Sequence, residues 1–180
     1  MGARPLSEVE KRILKEIAIN AIEGVLFGVQ EISPDLTERL KEKGGAFVTL
    51  KKRGSLRGCI GYIREIMPLY KTVREAAIQS AFHDPRFEPV AREEWKEIEV
   101  EISVLSPMKR VDSIEEIEVG KHGLYIERGP YSGLLLPQVA IEYAFDRETF
   151  LEETCLKAGL GRDAWRSRDT SIYIFTAEVF

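Results

Sequence analysis

The segment Leu56–Gly61 carries the residues best suited to chemistry in this chain. It reads Leu-Arg-Gly-Cys-Ile-Gly, so Arg57 and Cys59 stand two positions apart. On a β-strand such residues project from the same face, and a guanidinium beside a thiol favours the nucleophilic thiolate. Gly58 and Gly61 leave room for a bound group to approach the backbone. The pattern predicts either an activated thiol in an open slot or a small buried cysteine beside closely packed glycines.

A second polar cluster, His83–Pro89, concentrates an imidazole, two carboxylates and a guanidinium in one loop. Its two prolines stiffen the loop, which suits polar groups that must converge. His83 is a candidate general base for Cys59, and Asp84 and Arg86 are candidates for the lining of a ligand cleft. The alternative is that Asp84 simply pairs with Arg86, as most loop charges do.

Two weaker candidates lie further along the chain. His122, between glycines, is either a polar lining residue or a turn residue in solvent. Gln138 follows an apolar strand and is able to bind a ligand by hydrogen bonds. Cys59 and Cys155 are expected to be free thiols, and with the two histidines they are too dispersed for a zinc site. No metal is expected, and no cofactor is evident.

Hydrophobic periodicity predicts the helices and strands that carry these residues. A Ser7-x-x-Glu10 capping box begins a long amphipathic helix, whose buried face is expected to include Val25. The other predicted elements are a short helix around Thr37–Lys43, strands over Ala46–Leu50 and Leu56–Ile63 joined by a turn at Lys52–Ser55, a helix after Pro68, a strand over Ile98–Val104 with one wet face, a second hairpin over Gly123–Leu136, a helix from Val139 to Ala158, and a terminal strand over Ser171–Phe180.

These elements predict an α+β fold with mostly antiparallel sheets and flanking helices, in a single domain over residues 1–180. The turn and return strand of the first hairpin, Arg53-Gly54-x-x-x-Gly58, match those of the second, Arg128-Gly129-x-x-x-Gly133. The match predicts either an internal duplication or a coincidence between glycine hairpins, which are common. A duplicated fold would form two lobes around a central cleft, which is a natural ligand site.

Composition excludes some classes of function. The 180-residue chain has a formal net charge of −4 and a pI near 5.4, so it lacks the positive field that gathers nucleic acid. Its apolar runs are far shorter than the roughly 20 residues of a membrane-spanning helix. The N-terminal residues lack the apolar stretch of a signal peptide. A cytoplasmic protein without nucleic-acid or membrane partners is expected.

Five segments in fixed order resemble those of the AMMECR family. They are Leu56–Gly61, Asp84–Phe87, Glu101–Leu105, His122–Leu124 and Gly133–Gln138. The resemblance extends over essentially the whole chain. It implies an α+β protein with two lobes or repeats and a cleft lined by Leu56–Gly61. It also implies, in some prokaryotes, a Memo-like protein and a radical S-adenosylmethionine protein as partners. The chain itself lacks the Cys-x-x-x-Cys-x-x-Cys cluster of the radical enzyme.

Two hypotheses for function follow. In the first, the chain is a cysteine-dependent enzyme or enzyme component that acts on a small molecule or a modified side chain. Cys59 is then the nucleophile or carrier thiol, Arg57 its electrostatic partner and His83 the base. In the second, the chain is a non-catalytic binding or adaptor module that holds a ligand or partner protein in the same cleft.

Thiol reactivity distinguishes the two hypotheses. We expect Cys59 to be alkylated by iodoacetamide at neutral pH faster than Cys155, because an activated thiol has a larger thiolate fraction. Mass spectrometry of peptides from timed samples measures both rates in the same protein. An unreactive Cys59, or full biological activity in Cys59→Ala, would count against the enzyme hypothesis.

Overall fold

The computed structural model describes residues 4–30 and 34–180 of the chain. Met1–Ala3, part of the segment predicted to lack a signal peptide, lie outside the described residues. The chain divides into two compact units: unit one contains the residues up to Leu105 together with Glu178–Phe180, and unit two is Ser106–Ala177. Helices accompany two four-stranded antiparallel sheets, which confirms the predicted α+β class. No helix in the described ranges has the length and apolar character needed to cross a membrane.

The elements are numbered in chain order. The helices are α1 (Glu8–Phe27), α2 (Glu38–Lys41), α3 (Leu69–Phe82), α4 (Pro137–Glu142) and α5 (Arg147–Lys157). The strands are β1 (Ala46–Lys52), β2 (Ser55–Tyr62), β3 (Ile98–Leu105), β4 (Lys109–Arg110), β5 (Gly123–Arg128), β6 (Tyr131–Leu135), β7 (Ser171–Phe175) and β8 (Ala177–Val179). Short 3-10 helices cover Trp95–Glu97, Ile114–Glu116 and Arg162–Arg166.

The first helix begins at the predicted capping box. The Ser7 hydroxyl accepts the Glu10 N–H, and the Glu10 carboxylate accepts the Ser7 N–H at 2.8 Å. The prediction that Val25 belongs to the buried face is wrong, because its side chain is 55% exposed while Leu26 is buried. Spacing gives the helical face, but burial in the last turn depends on which elements pack there.

The first sheet has the order β2-β1-β3-β8, and it is built on the predicted hairpin. Arg53 and Gly54 form its turn with positive φ angles of 52° and 78°, which is the backbone of a tight two-residue hairpin. The register then shifts, so that Leu56 opposes Lys51, Gly58 opposes Leu50, and Arg57 has no partner in β1. This β-bulge moves every later residue of β2 by one position relative to a regular hairpin.

Helix α3 packs closely on β2 at Gly58. A Cβ atom at Gly58 would lie 2.2 Å from the Ser80 carbonyl oxygen. The Ser80 hydroxyl donates to the Val48 carbonyl at 2.7 Å and accepts the Ile60 N–H at 2.8 Å. The missing side chain thus lets a helix bind the strand through hydrogen bonds, in addition to the apolar contacts of their shared core.

The second sheet has the order β4-β7-β5-β6, and α5 packs against it. The predicted single helix from Val139 to Ala158 is wrong, because α4 ends at Glu142 and α5 begins at Arg147. Ala144 has a positive φ of 52° between them. The Asp146 carboxylate then accepts the Thr149 N–H at 2.8 Å, an N-cap that starts a new helix instead of continuing the old one.

Two strand predictions also need correction. The terminal strand predicted over Ser171–Phe180 is two strands, β7 and β8, which belong to different sheets. The wet face predicted for β3 holds only in its first half, because Ser103 is 1% exposed and its neighbours are buried as well. Alternation in the sequence shows which residues share a face, but it does not show what covers that face.

The internal duplication stays a prediction, as do the single domain and the central cleft. The two hairpins do share one feature, which is a glycine of the return strand in close contact with helix backbone. A Cβ atom at Gly133 would lie 2.4 Å from the Ala158 amide nitrogen, much as one at Gly58 would meet Ser80.

The packing at Gly58 predicts a large loss of stability in Gly58→Ala. We expect the free energy of unfolding to fall by about 2–3 kcal/mol, because the new methyl group forces the backbone of α3 away from β2. Gly161→Ala is the matched control, since a Cβ atom there meets no other atom within 4 Å. Urea denaturation of both variants measures the difference, and equal stabilities would contradict the packing argument.

Candidate functional site

Cys59 lies in β2 opposite Thr49 of β1. Its neighbour Gly58 faces α3, so alternation directs the Cys59 thiol to the other face of the sheet. There the Thr49 hydroxyl donates a hydrogen bond to the Cys59 Sγ at 3.2 Å. The thiol is free and partly exposed, so the site presents a sulfur atom with a hydrogen-bond donor beside it.

The backbone of Cys59 is held by the loop that follows α3. Strand β2 is an edge strand, and the Cys59 N–H and carbonyl would otherwise have no partner strand. The N–H instead donates to Asp84 Oδ2 at 2.9 Å, and the carbonyl accepts from Arg86 Nη2 at 3.1 Å. The two side chains therefore take the place of a neighbouring strand at this one residue. We call Asp84 and Arg86 the clamp.

The two residues of the clamp also bind each other. Arg86 Nε and Nη2 donate to the two Asp84 oxygens at 2.9 and 2.6 Å, and the Arg86 N–H donates to Oδ1 at 3.1 Å. The bond with Arg86 holds the pKa of the Asp84 carboxyl far below its ordinary range, although burial acts in the opposite direction. Asp84 is therefore a buried carboxylate with both oxygens satisfied.

The Arg57 guanidinium is bound by a different carboxylate. Its Nη2 donates to Glu94 Oε1 at 2.6 Å, and Lys52 donates to Oε2 of the same residue at 2.8 Å. The bond with Arg57 is the largest effect that lowers the pKa of Glu94, to about 2. Arg57 thus binds Glu94. The guanidinium that binds the Cys59 backbone is that of Arg86.

His83 caps the C-terminus of α3, where its N–H donates to the Gln79 carbonyl at 2.9 Å. Its side chain is exposed, and within residues 4–30 and 34–180 no hydrogen bond joins the imidazole to Cys59. The next residue, Asp84, is the one that reaches Cys59. The role of His83 as a base stays a prediction.

The space expected beside the glycines of the motif is filled by the protein itself. Ser80 occupies the place next to Gly58, and a Cβ atom at Gly61 would lie 2.3 Å from the ring of Phe47. These glycines therefore allow close packing within unit one. A ligand contact at either glycine stays a prediction.

Two further candidates belong to unit two. His122 Nδ1 accepts the Glu118 N–H at 3.1 Å, and burial lowers the pKa of this imidazole. Gln138 is the second residue of α4. No group of three or more His, Cys, Asp or Glu side chains in the described ranges is arranged to hold a metal ion.

Sequence reasoning missed two residues of this site, Thr49 and Glu94. Counting outward from the Arg53-Gly54 turn places Thr49 opposite Gly58, and only the bulge at Arg57 brings Thr49 opposite Cys59. Glu94 lies 37 residues beyond Arg57, and nothing in its local sequence distinguishes it from other surface glutamates.

Comparison with known proteins gives consistent matches. The AMMECR1 family model matches residues 15–180. A protein of Pyrococcus furiosus is 48% identical over 179 residues, which cover 93% of this chain and 85% of that protein. A protein of Methanothermobacter thermautotrophicus is 47% identical, with 100% of this chain and 98% of the relative covered. The crystal structure of an uncharacterised protein from Pyrococcus horikoshii matches with a TM-score of 0.88 and 43% identity, over 97% of this chain and 91% of that one.

The clamp predicts a pH-dependent effect of Asp84→Asn on stability. The variant leaves a poorer partner for Arg86 and for the Cys59 N–H, so we expect the free energy of unfolding to fall by roughly 2–4 kcal/mol near pH 7. Because folding lowers the pKa of Asp84, its contribution is complete well above about pH 4, the ordinary value, and is lost as the pH falls through the lower value of the folded protein.

Urea denaturation of the wild type and of Asp84→Asn, from about pH 7 down to about pH 3, checks the direction of this pH dependence. The difference between wild type and Asp84→Asn should be constant near neutral pH and shrink in acid. Asp35→Asn, at an exposed carboxylate without an ion pair in the described chain, should show no such effect. A difference that grows as the pH falls would refute the role of the carboxylate.

Proposed function

This chain belongs to the AMMECR1 family, and we propose that it is a cysteine-dependent enzyme or enzyme component that acts on a small molecule or a modified protein side chain. Cys59 supplies the reacting thiol. The observation that carries the proposal is the 3.2 Å hydrogen bond from the Thr49 hydroxyl to the Cys59 sulfur, on a strand whose backbone is held by the clamp.

Hydrogen bonding and charge at Cys59 support this role. A hydroxyl donor and a nearby positive charge both favour the thiolate form of a thiol. The Arg86 guanidinium binds the Cys59 carbonyl at 3.1 Å, which places a positive charge beside the residue that carries the thiol. The interaction is moderated by Asp84, which neutralises much of the positive charge. Thr49 is therefore the group expected to have the larger effect on the sulfur.

Rigidity at Cys59 is the second support. A reacting group needs to be held close to its productive geometry by neighbours that are themselves fixed. Here the N–H and the carbonyl of Cys59 are both bound by the clamp. The next residue, Ile60, is bound through its N–H to Ser80 of α3. The thiol consequently has little freedom beyond its own side-chain torsion.

The reaction proposed for Cys59 is a displacement at an electrophilic carbon. The thiolate forms a carbon–sulfur bond while the bond from that carbon to an oxygen, nitrogen or sulfur leaving group breaks. The leaving group keeps the electron pair and takes up the proton that the thiol released, with His83 proposed as the carrier of that proton. Atoms and charge balance without an oxidant or a reductant.

A non-catalytic binding or adaptor role is the second candidate. The filled space beside Gly58 and Gly61 favours it, because the motif then contributes packing instead of a slot for a small ligand. The partners proposed for this role, and for an enzyme component, are the Memo-like and radical S-adenosylmethionine proteins that the family resemblance implies. In the adaptor role Cys59 takes no part in chemistry.

Alkylation of Cys59 tests the proposal through Thr49. We expect Thr49→Val to slow alkylation by iodoacetamide at neutral pH by about threefold to tenfold, because the hydrogen bond to sulfur is lost while the side-chain shape is kept. Thr49→Ser keeps the hydroxyl and should retain most of the rate. Thr176→Val, at an exposed threonine, is the matched control and should leave the rate unchanged.

Peptide mass spectrometry of timed samples measures these rates, with Cys155 as an internal reference in each protein. Burial raises the pKa of the Cys155 thiol, so its rate should be low in all variants. Equal rates at Cys59 in wild type and Thr49→Val would remove the support that the hydrogen bond gives to a reactive thiol. Such a result would leave the adaptor role as the better account.

A further inference from the structure

The backbone N–H groups of Cys59 and of the residue after it are both bound by side chains of unit one. The Cys59 N–H donates to Asp84 Oδ2 at 2.9 Å, and the Ile60 N–H donates to the Ser80 hydroxyl at 2.8 Å. Both acceptors are buried, with Asp84 4% and Ser80 1% exposed. Neither N–H is therefore free to bind a group of a substrate.

These two backbone positions are the ones that acyl-transfer enzymes use. Attack of a nucleophile on a carbonyl carbon places negative charge on the carbonyl oxygen, and donors held about 3 Å away stabilise that oxyanion. The donors commonly include the backbone N–H of the nucleophile itself or of the residue after it. Loss of one such donor slows the reaction by about 10²–10³. At Cys59 both positions are occupied, so the backbone gives an oxyanion no such stabilisation.

The side-chain donors on the face of the thiol are also engaged. The Thr49 hydroxyl donates to the sulfur itself at 3.2 Å. Lys51 follows Thr49 on the same face of β1, and its ammonium binds Glu101 at 2.8 Å. Glu101 belongs to β3 and Cys59 to β2, with β1 between them. The Lys51 ammonium is therefore directed away from the strand that carries the thiol.

Arg86 is bound along the edge of the strand. Its Nη2 atom donates to the Cys59 carbonyl at 3.1 Å and to Asp84 at 2.6 Å. A strand carbonyl lies near the plane of the sheet, whereas a side chain stands roughly perpendicular to it. The guanidinium thus holds the backbone of Cys59, and the donor that contacts the sulfur is Thr49.

Displacement at a saturated carbon does not require an oxyanion donor. The sulfur, the carbon and the leaving atom lie in line, and negative charge passes from the sulfur to the leaving atom. No charge develops on an oxygen beside the backbone of Cys59. The requirement at the sulfur is a group that favours the thiolate, and the Thr49 hydroxyl is such a group.

We propose that Cys59 accepts an alkyl group from a saturated carbon of its substrate, an inference that rests on the proposed function of this thiol. The thiolate forms a carbon–sulfur bond while the bond from that carbon to an oxygen, nitrogen or sulfur leaving group breaks. The leaving group keeps the electron pair and takes up the proton that the thiol released. The product is a thioether. The substrate is then an alkyl donor, in contrast to an ester, amide or thioester attacked at its carbonyl carbon.

The test compares two small reagents at the same thiol of the full-length chain. Iodoacetamide is the alkyl donor and N-acetylimidazole is the acyl donor, and peptide mass spectrometry of timed samples measures both rates at Cys59. The ratio of the acyl rate to the alkyl rate does not depend on the thiolate fraction, because both reagents react with the same thiolate. Glutathione gives the ratio for a thiol without an oxyanion site.

We expect the ratio at Cys59 to be less than about tenfold above that of glutathione, since even one oxyanion donor would raise it by about 10²-fold. A ratio more than about tenfold above that of glutathione would overturn the proposal and leave Cys59 as a reacting thiol. A Cys59 that reacts with both reagents no faster than Cys155 would instead refute the proposed function, and the alkyl-transfer proposal with it.

Two variants test the side-chain donors. Thr49→Val should slow both reactions at Cys59 by the same factor, because the hydroxyl acts on the sulfur that the two reactions share. Lys51→Met keeps a long side chain without the ammonium and should leave the ratio unchanged. A ratio that falls by more than about threefold in either variant would identify that side chain as an oxyanion donor. Acyl transfer would then be the better account of the site.

Discussion

The clamp on Cys59 is the interaction on which the site depends. An edge strand leaves every second residue with an unpaired N–H and carbonyl, and these groups must find partners or remain in water. At Cys59 the Asp84 carboxylate and the Arg86 guanidinium bind both groups. Since Asp84 is almost fully buried, its charge is stable there only because Arg86 and the two backbone N–H groups compensate it. The clamp therefore fixes β2, the loop that carries Asp84 and Arg86, and the preceding helix α3 relative to one another.

Glycine at position 58 makes this arrangement possible. Helix α3 can deliver Asp84 to β2 only if its last turns lie directly against the strand, and any side chain at Gly58 would collide with Ser80. The same close approach lets the Ser80 hydroxyl bridge β1 and β2. The motif glycine thus acts through backbone geometry, while the Cys59 thiol is free and partly exposed.

The sequence alone determined the elements and the residues of interest. Hydrophobic periodicity and helix-capping residues were sufficient to locate α1, the first hairpin and α3. These signals are local, because each depends on only a few neighbouring residues. The same reasoning joined Val139 to Ala158 in one helix, since the left-handed backbone at Ala144 has no local signal. It identified Arg57, Cys59, Asp84 and Arg86 as residues of interest by type and spacing.

Only the tertiary structure decided which of these residues meet. The bulge at Arg57 changes the register and places Thr49 opposite Cys59, where its hydroxyl binds the thiol. Arg57 has no partner in β1, and its guanidinium binds Glu94. The contact between Asp84 and Cys59 spans 25 residues, and it exists because α3 crosses β2 at Gly58. Pairings of this kind depend on packing between distant segments, which hydrophobic period and residue type do not specify.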